Sequence, residues 1–327
     1  MIYNGLPGGS SLIKGLFVPI CAYVIMALSL NLTVGILGEL SLGHAGFMCL
    51  GAFVGSTFSI LTQESLTSVW VRFPLAILIG GLVAAVAGVL IGIPVLRLRG
   101  DYLAIVTLAF GEIIKNLVNV LYIGKDSNGF HFSTKDVMAL NMEPDGKVII
   151  NGPQGITGTP KDATFFIGFI LILITLFIVL NLIHSRDGRA IMAIRDNRIA
   201  AESVGINITK YKLMAFTISA AMAGAAGVLY DHNLSTLTAN TNNFGYNMSI
   251  MILVFVVLGG IGNIRGSIIA AVILTLLPEM LRGLSDYRML IYAIVLIVMM
   301  LFNWAPKAIE WREKYLSFGK KKKEAVK

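Results

Sequence analysis

Glu112 and Lys115 stand three residues apart inside an apolar stretch of the chain. On a helix that spacing sets both on one face, where they can pair. A charged group at membrane depth is a candidate for function by default; a structural pair turned toward a bundle interior is the alternative. Asn116 follows directly. A second polar constellation, Ser41 and His44, lies in the run Gly35-Ile36-Leu37-Gly38-Glu39-Leu40-Ser41-Leu42-Gly43-His44-Ala45-Gly46. This run is too rich in glycine and polar groups for one continuous lipid-facing helix. Glycine-interrupted segments in both halves of a transporter point to discontinuous helices whose free ends meet a polar solute. A turn between two spans is the other reading, and it suits the similar run Gly259–Gly266 better.

The motifs of most enzymes are missing. There is no G-x-x-x-x-G-K-[ST] loop to cradle nucleotide phosphates, no H-E-x-x-H and no G-x-S-x-G elbow. His44, His131, His184 and His232 are scattered, and no Cys/His set suggests a metal. Cys21 and Cys49 sit in apolar stretches and read as small core residues. Nor is there a series of intramembrane carboxylates or arginines of the kind an ion-driven pump needs. The chain reads as a non-enzyme without a cofactor, worked by energy from another subunit.

These residues must be held by membrane helices. Of 327 residues 56% are hydrophobic and only 13% charged, where soluble domains carry about 25% charged. Apolar runs of spanning length fall at roughly 12–34, 41–62, 74–96, 101–122, 164–184, 213–231, 247–263, 267–282 and 288–304. The expected fold is all-α, a single polytopic bundle over 1–327 with about nine spans, eight to ten in range. Gly51-x-x-x-Gly55, Gly88-x-x-x-Gly92 and the run Ala220–Gly227 present flat faces for close helix packing. The N-terminus lacks a basic region and a small-residue cleavage site, so the first span is expected to stay.

The excess of positive charge, +8 net, is local. The loop 185–212 holds Arg186, Arg189, Arg195, Arg198, Lys210 and Lys212 against Asp187, Asp196 and Glu202. The loop 123–163 is slightly acidic and rich in turn formers. Basic loops face the cytoplasm. Alternating spans from there puts Arg97, Arg99, Arg265 and the Lys-rich tail 305–327 inside, with the N-terminus outside. Lys320–Lys323 suit a topogenic signal or contact with anionic membrane lipid rather than nucleic acid. The outer loop 123–163 is either a solvated linker or a surface that meets an extracytoplasmic partner. The segment from Arg189 to Glu202 is helix-compatible, with small Ala200 and Ala201 allowing close approach and Gly205 as a C-cap. It reads as a docking surface or as an ordinary surface helix.

Taken in order, several blocks resemble one family. Gly38-Glu39-Leu40-Ser41-Leu42-Gly43-His44-Ala45-Gly46-Phe47 is similar to the G-x-x-S-L-G-H-A-x-F signature of the M-type permease subunits of ABC transporters for branched-chain amino acids. Leu96–Thr107 with Phe110–Ile114, Asn151–Gly158, Gly188–Leu213, Val257–Asn263 and Tyr287–Tyr292 resemble its further blocks. The resemblance implies a multi-pass permease of the bacterial inner membrane that pairs with a homologous H-type permease subunit. Two cytoplasmic ATPase subunits and an extracytoplasmic amino-acid-binding protein would complete the importer. It also implies that 185–212 is the loop coupling to the ATPase, through Arg189, Arg195, Arg198, Ala200, Ala201, Glu202 and Gly205. Ala200-Ala201-Glu202-x-x-Gly205 departs in order and spacing from the E-A-A-x-x-x-G pattern of importers. Ser41, His44, Glu112 and Asn116 are the candidates for the translocation path. Related permeases carry amides, urea or sugars, so cargo stays open, and a self-sufficient secondary carrier is the remaining alternative.

Overall fold

The computed structural model describes residues 11–281 apart from Arg99, Asn128, Pro144, Asp145 and Ser235, and parts of 287–301. The basic tail 305–327 and residues 1–10 lie outside the described residues, as does much of the ninth expected span, 288–304. The described residues of that stretch, Leu290 and Leu296 among them, are helical, and Leu296 packs against the core.

Seven helices among the described residues are long and apolar enough to cross a membrane. The first is α1 (Ser11–Asn31), continued by a π-turn at Leu32–Leu37. Then come α2 (His44–Leu61), α3 (Val69–Val95), α4 (Asp101–Val120) and α5 (Phe165–His184). The last two are α8 (Ile208–Leu234) and the stretch Thr241–Gly259, which a break at Gly245 divides into α9 (Thr241–Phe244) and α10 (Tyr246–Gly259). The eighth expected span is α11 (Ile264–Met280). At 17 residues it is about 26 Å long, short of a typical hydrocarbon core.

The bundle is built around α1, whose side chains from Val24 to Leu32 are almost wholly buried. A helix apolar on every side belongs in a core or in lipid, and here it is in the core. α5 is more apolar still, yet it exposes Phe166, Phe169, Leu173, Ile174 and Phe177. α2, α3 and α8 pack through the small residues singled out above. A side chain on Gly51 would overlap the backbone of Gly224, and one on Gly88 would overlap Ala220.

The stretch 123–163 is not a plain linker, and the fold is not purely helical. A five-stranded antiparallel sheet, in the order β2-β1-β3-β4-β5, caps one end of the bundle. Its strands are β1 (Tyr122–Asp126), β2 (Gly129–Ser133), β3 (Lys147–Asn151), β4 (Ile156–Thr157) and β5 (Thr236–Leu237). The last comes from the connection after α8, so the sheet ties that connection to the loop. Arg72 at the start of α3 and Asp162 form a buried ion pair at 2.6 Å beside it. The opposite end gathers residues 38–42, the turn into α4 at Gly100 and Asp101, the segment 185–207 and the loop 260–263. The basic segment 185–207 therefore shares one end of the bundle with the turns before α2, α4 and α11, as the alternating topology requires.

Candidate functional site

The first half of the site is the break after α1. The π-turn widens the helix at Leu32–Leu37, and Gly38 ends it in the left-handed region at φ 80°. Only glycine takes that conformation without strain. The chain then runs without regular structure to Gly43, and α2 begins at His44. This break leaves helix ends inside the protein, and protein groups satisfy them. The Leu42 N–H donates to Thr107 Oγ1 (3.0 Å) and the Ala45 N–H to Ser249 Oγ (3.2 Å). His44 lies between Ser41 Oγ on Nδ1 (3.2 Å) and Ser219 Oγ on Nε2 (2.7 Å). Ser219 in turn bonds Ser29, hydroxyl to hydroxyl and hydroxyl to carbonyl. All four side chains are fully buried. The break is thus a sealed polar seam between α1, α2 and α8, not an open channel.

The two glycine-rich runs meet here. Asn31 Oδ1 accepts from the Gly262 N–H (2.9 Å), and Asn31 Nδ2 donates to Ser267 Oγ (3.0 Å). A side chain on Gly35 would overlap both Asn31 and the Gly262 backbone. Glu39 beyond the break forms an ion pair with Lys212 of α8, which is buried.

The second half is the segment between α5 and α8. Ser185 caps α6 (Arg186–Asp196) by accepting from the Gly188 N–H (3.0 Å). The continuous helix expected from Arg189 to Glu202 is instead two. Asn197 leaves the helical region (φ −154°, ψ 103°) and caps α7 (Arg198–Ser203) by accepting from the Ala200 N–H. A short polar side chain that can bond its own backbone favours such a stop. α7 ends on Gly205 at φ 84°. The Gly205 N–H donates to Glu202 O and the Ile206 N–H to Ala201 O. That pattern is a Schellman cap, which needs glycine at this place. Ala201 faces inward with Ile194 and Ile208, while Ile199 is 81% and Val204 75% exposed.

The halves touch. Arg195 Nη1 donates to the Gly35 carbonyl (2.9 Å), and its chain lies over Gly38. Arg195 and Arg198 line a cleft of about 330 Å³ with Glu39, Asp101 and Lys212. Arg189 bonds the His184 carbonyl at the end of α5 (3.1 Å). Ala200, Glu202 and Gly205 are exposed.

A match to the family "Branched-chain amino acid transport system / permease component" covers residues 12–302. The chain belongs to this permease family. It is 38% identical over 88% of its length to the high-affinity branched-chain amino acid transport system permease protein LivM of Salmonella typhimurium, covering 67% of that protein. LivM of Escherichia coli K12 is 36% identical over the same shares. The ribose import permease protein RbsC of Escherichia coli K12 is 29% identical over 76% of this chain and 86% of its own. No solved structure matches. The permease is a multi-pass inner-membrane protein, a transport subunit rather than an enzyme.

Of the four path candidates, the permease brings two together. Ser41 and His44 share the seam. Glu112 lies apart, where Oε2 accepts from Lys115 (2.5 Å) and Oε1 from the Tyr246 N–H (2.7 Å). Its carboxylate thus caps α10 at the Gly245 break, where the helix end favours negative charge. Asn116 stands on the exposed face of α4 with Ile113, Leu117 and Val120. Reading the sequence missed Asn31, Ser219, Thr107 and Ser249, which close the seam. Asn31 alone carried a visible signal, an amide deep in an apolar span. The others are hydroxyls that helices tolerate anywhere.

Proposed function

We propose that this permease is the transmembrane subunit of an ABC importer that moves branched-chain amino acids inward. The end of the bundle carrying α6 and α7 faces the cytoplasm, as its arginines favour. There the exposed face of α7, with Ile199, Glu202 and Val204 beside Ala200, docks one ATPase subunit. A homologous H-type permease completes the pathway, a second ATPase subunit binds it, and an extracytoplasmic binding protein delivers solute at the sheet end. The exposed face of α4 turns toward that second permease. That face carries Asn116, a polar group, among the exposed apolar side chains Ile113, Leu117 and Val120.

The observation that carries this reading is the contact between α6 and the break after α1. A short helix held between two spans and bonded to a discontinuous helix can pass a rigid-body movement into the membrane. The seam at Ser41 and His44 is closed here, and its opening is what the ATPase drives. Cargo is read from the LivM relatives; the ribose permease relative supports a sugar as the second reading.

The test is reconstitution of the permease with its H-type partner, ATPases and binding protein in vesicles. Leucine, isoleucine or valine is expected to accumulate only with ATP inside the reach of the ATPase. Ribose uptake in their place selects the second reading. Accumulation by this chain alone, without nucleotide or partners, overturns both.

A further inference from the structure

We infer that Arg195 is a latch that transmits movement of the docked segment to the broken end of the first helix, and not a contact to the ATPase. The inference rests on the coupling role proposed above.

The C-terminal end of a helix carries unmet carbonyls and partial negative charge. At the end of α1 the chain leaves the helix at Gly38, and both the Gly38 and Glu39 N–H groups go to the Thr33 carbonyl. The Gly35 carbonyl is met by the Arg195 guanidinium instead (2.9 Å). Arg195 is therefore a charged cap supplied from another element. Two of its other donors go to its neighbour: Nε and Nη2 both donate to Asp196 Oδ1, at 3.0 and 2.9 Å. Asp196 thus holds the guanidinium plane so that Nη1 points at the break. Position 38 must also lack a side chain for the arginine to cross it, and its φ of 80° asks for glycine as well.

What the latch holds is connected onward. Gly35 packs on Gly262, and one turn earlier Asn31 bonds Gly262 and Ser267, so the loop between α10 and α11 follows the break. Glu39 is anchored on the other side by Lys212 of α8. From Gly38 the chain leads directly to Ser41 and His44. A displacement of α6 is passed through one arginine to both sides of the seam. Ile199 and Val204, by contrast, point away from the bundle on α7 and are free to meet a partner.

The test uses the whole importer, captured by a tag on the ATPase so that only assembled complexes are read. Arg195→Ala is expected to co-purify with the ATPase as the wild type does and to hydrolyse ATP. Solute moved per ATP should fall about tenfold, the factor that one charge-assisted hydrogen bond commands. Arg195→Lys keeps a charged donor near the carbonyl and should recover part of the loss. The latch is overturned if Arg195→Ala fails to co-purify, if it imports as the wild type does, or if Arg195→Lys is no better than Arg195→Ala. A wild-type permease that captures no ATPase refutes the coupling role itself, and the latch with it.

Discussion

Asn31 shows how one side chain can hold a membrane bundle together. Its amide satisfies a backbone N–H of one loop and a hydroxyl of the next helix, in a place water does not reach. Removing one partner of a buried hydrogen bond costs the desolvation of the group left behind. Asn31→Ala should therefore destabilise the purified permease by about 2 kcal/mol, read as a lower thermal unfolding midpoint in detergent. Unchanged unfolding would mean the Gly262 N–H finds another acceptor. Arg72 and Asp162 make a harsher case. Both are buried, and Arg72→Leu would leave the carboxylate without its cation, at a cost of about 3 kcal/mol. The double variant Arg72→Leu with Asp162→Leu should recover much of that loss, because an apolar pair leaves no charge unmatched. Equal losses in the single and double variants would count against the pair as the cause.

Among the elements, α8 is the frame. It meets α2 and α3 through backbone-to-backbone contact at Gly51, Gly80 and Gly224, a fit that admits no larger side chain. Gly224→Leu should prevent close packing and lower the yield of folded permease, whereas the same change at Gly15, where nothing lies near, should be silent. α6 and α7 are smaller and hang outside the bundle, pinned by Ile194, Ala201 and Ile208. Replacing Ile199 and Val204 on α7 with Asp should cut recovery of the permease with its ATPase without lowering its unfolding midpoint. Full recovery would place the docking face elsewhere. By composition Arg189 to Glu202 is helix-compatible throughout and reads as one helix. The stop at Asn197 depends on a local bond whose alternative, a continued helix, has nearly the same composition cost.

For the molecule as a whole, the arrangement of ends decides function. Basic loops gather at one end and the sheet at the other, so a single measurement of sidedness orients everything. Cys21 and Cys49 are both buried, which leaves a quiet background for labelling. An impermeant thiol reagent added to intact cells should react with Ser127→Cys at the sheet end and spare Ser203→Cys on α7. Labelling of Ser203→Cys alone would invert the orientation and remove the docking role from α7.

Membrane character, seven of the spans, the small-residue faces and the polar break near His44 were legible in the residues. Each follows from composition or spacing within one segment, because a bilayer imposes length and apolarity on every span separately. The placement of the segments was not. α1 and α5 are both apolar enough to span a membrane, yet one is the core and the other faces outward. The strands of the sheet run from two to five residues, too short for a periodic signal, and β5 joins from the far side of α8. Likewise, the family resemblance put Arg195 among the residues that couple to the ATPase, and only the fold set it against Gly35. Contacts between residues distant in the chain come from how helices pack, and packing is a property of facing surfaces that no single stretch of sequence contains.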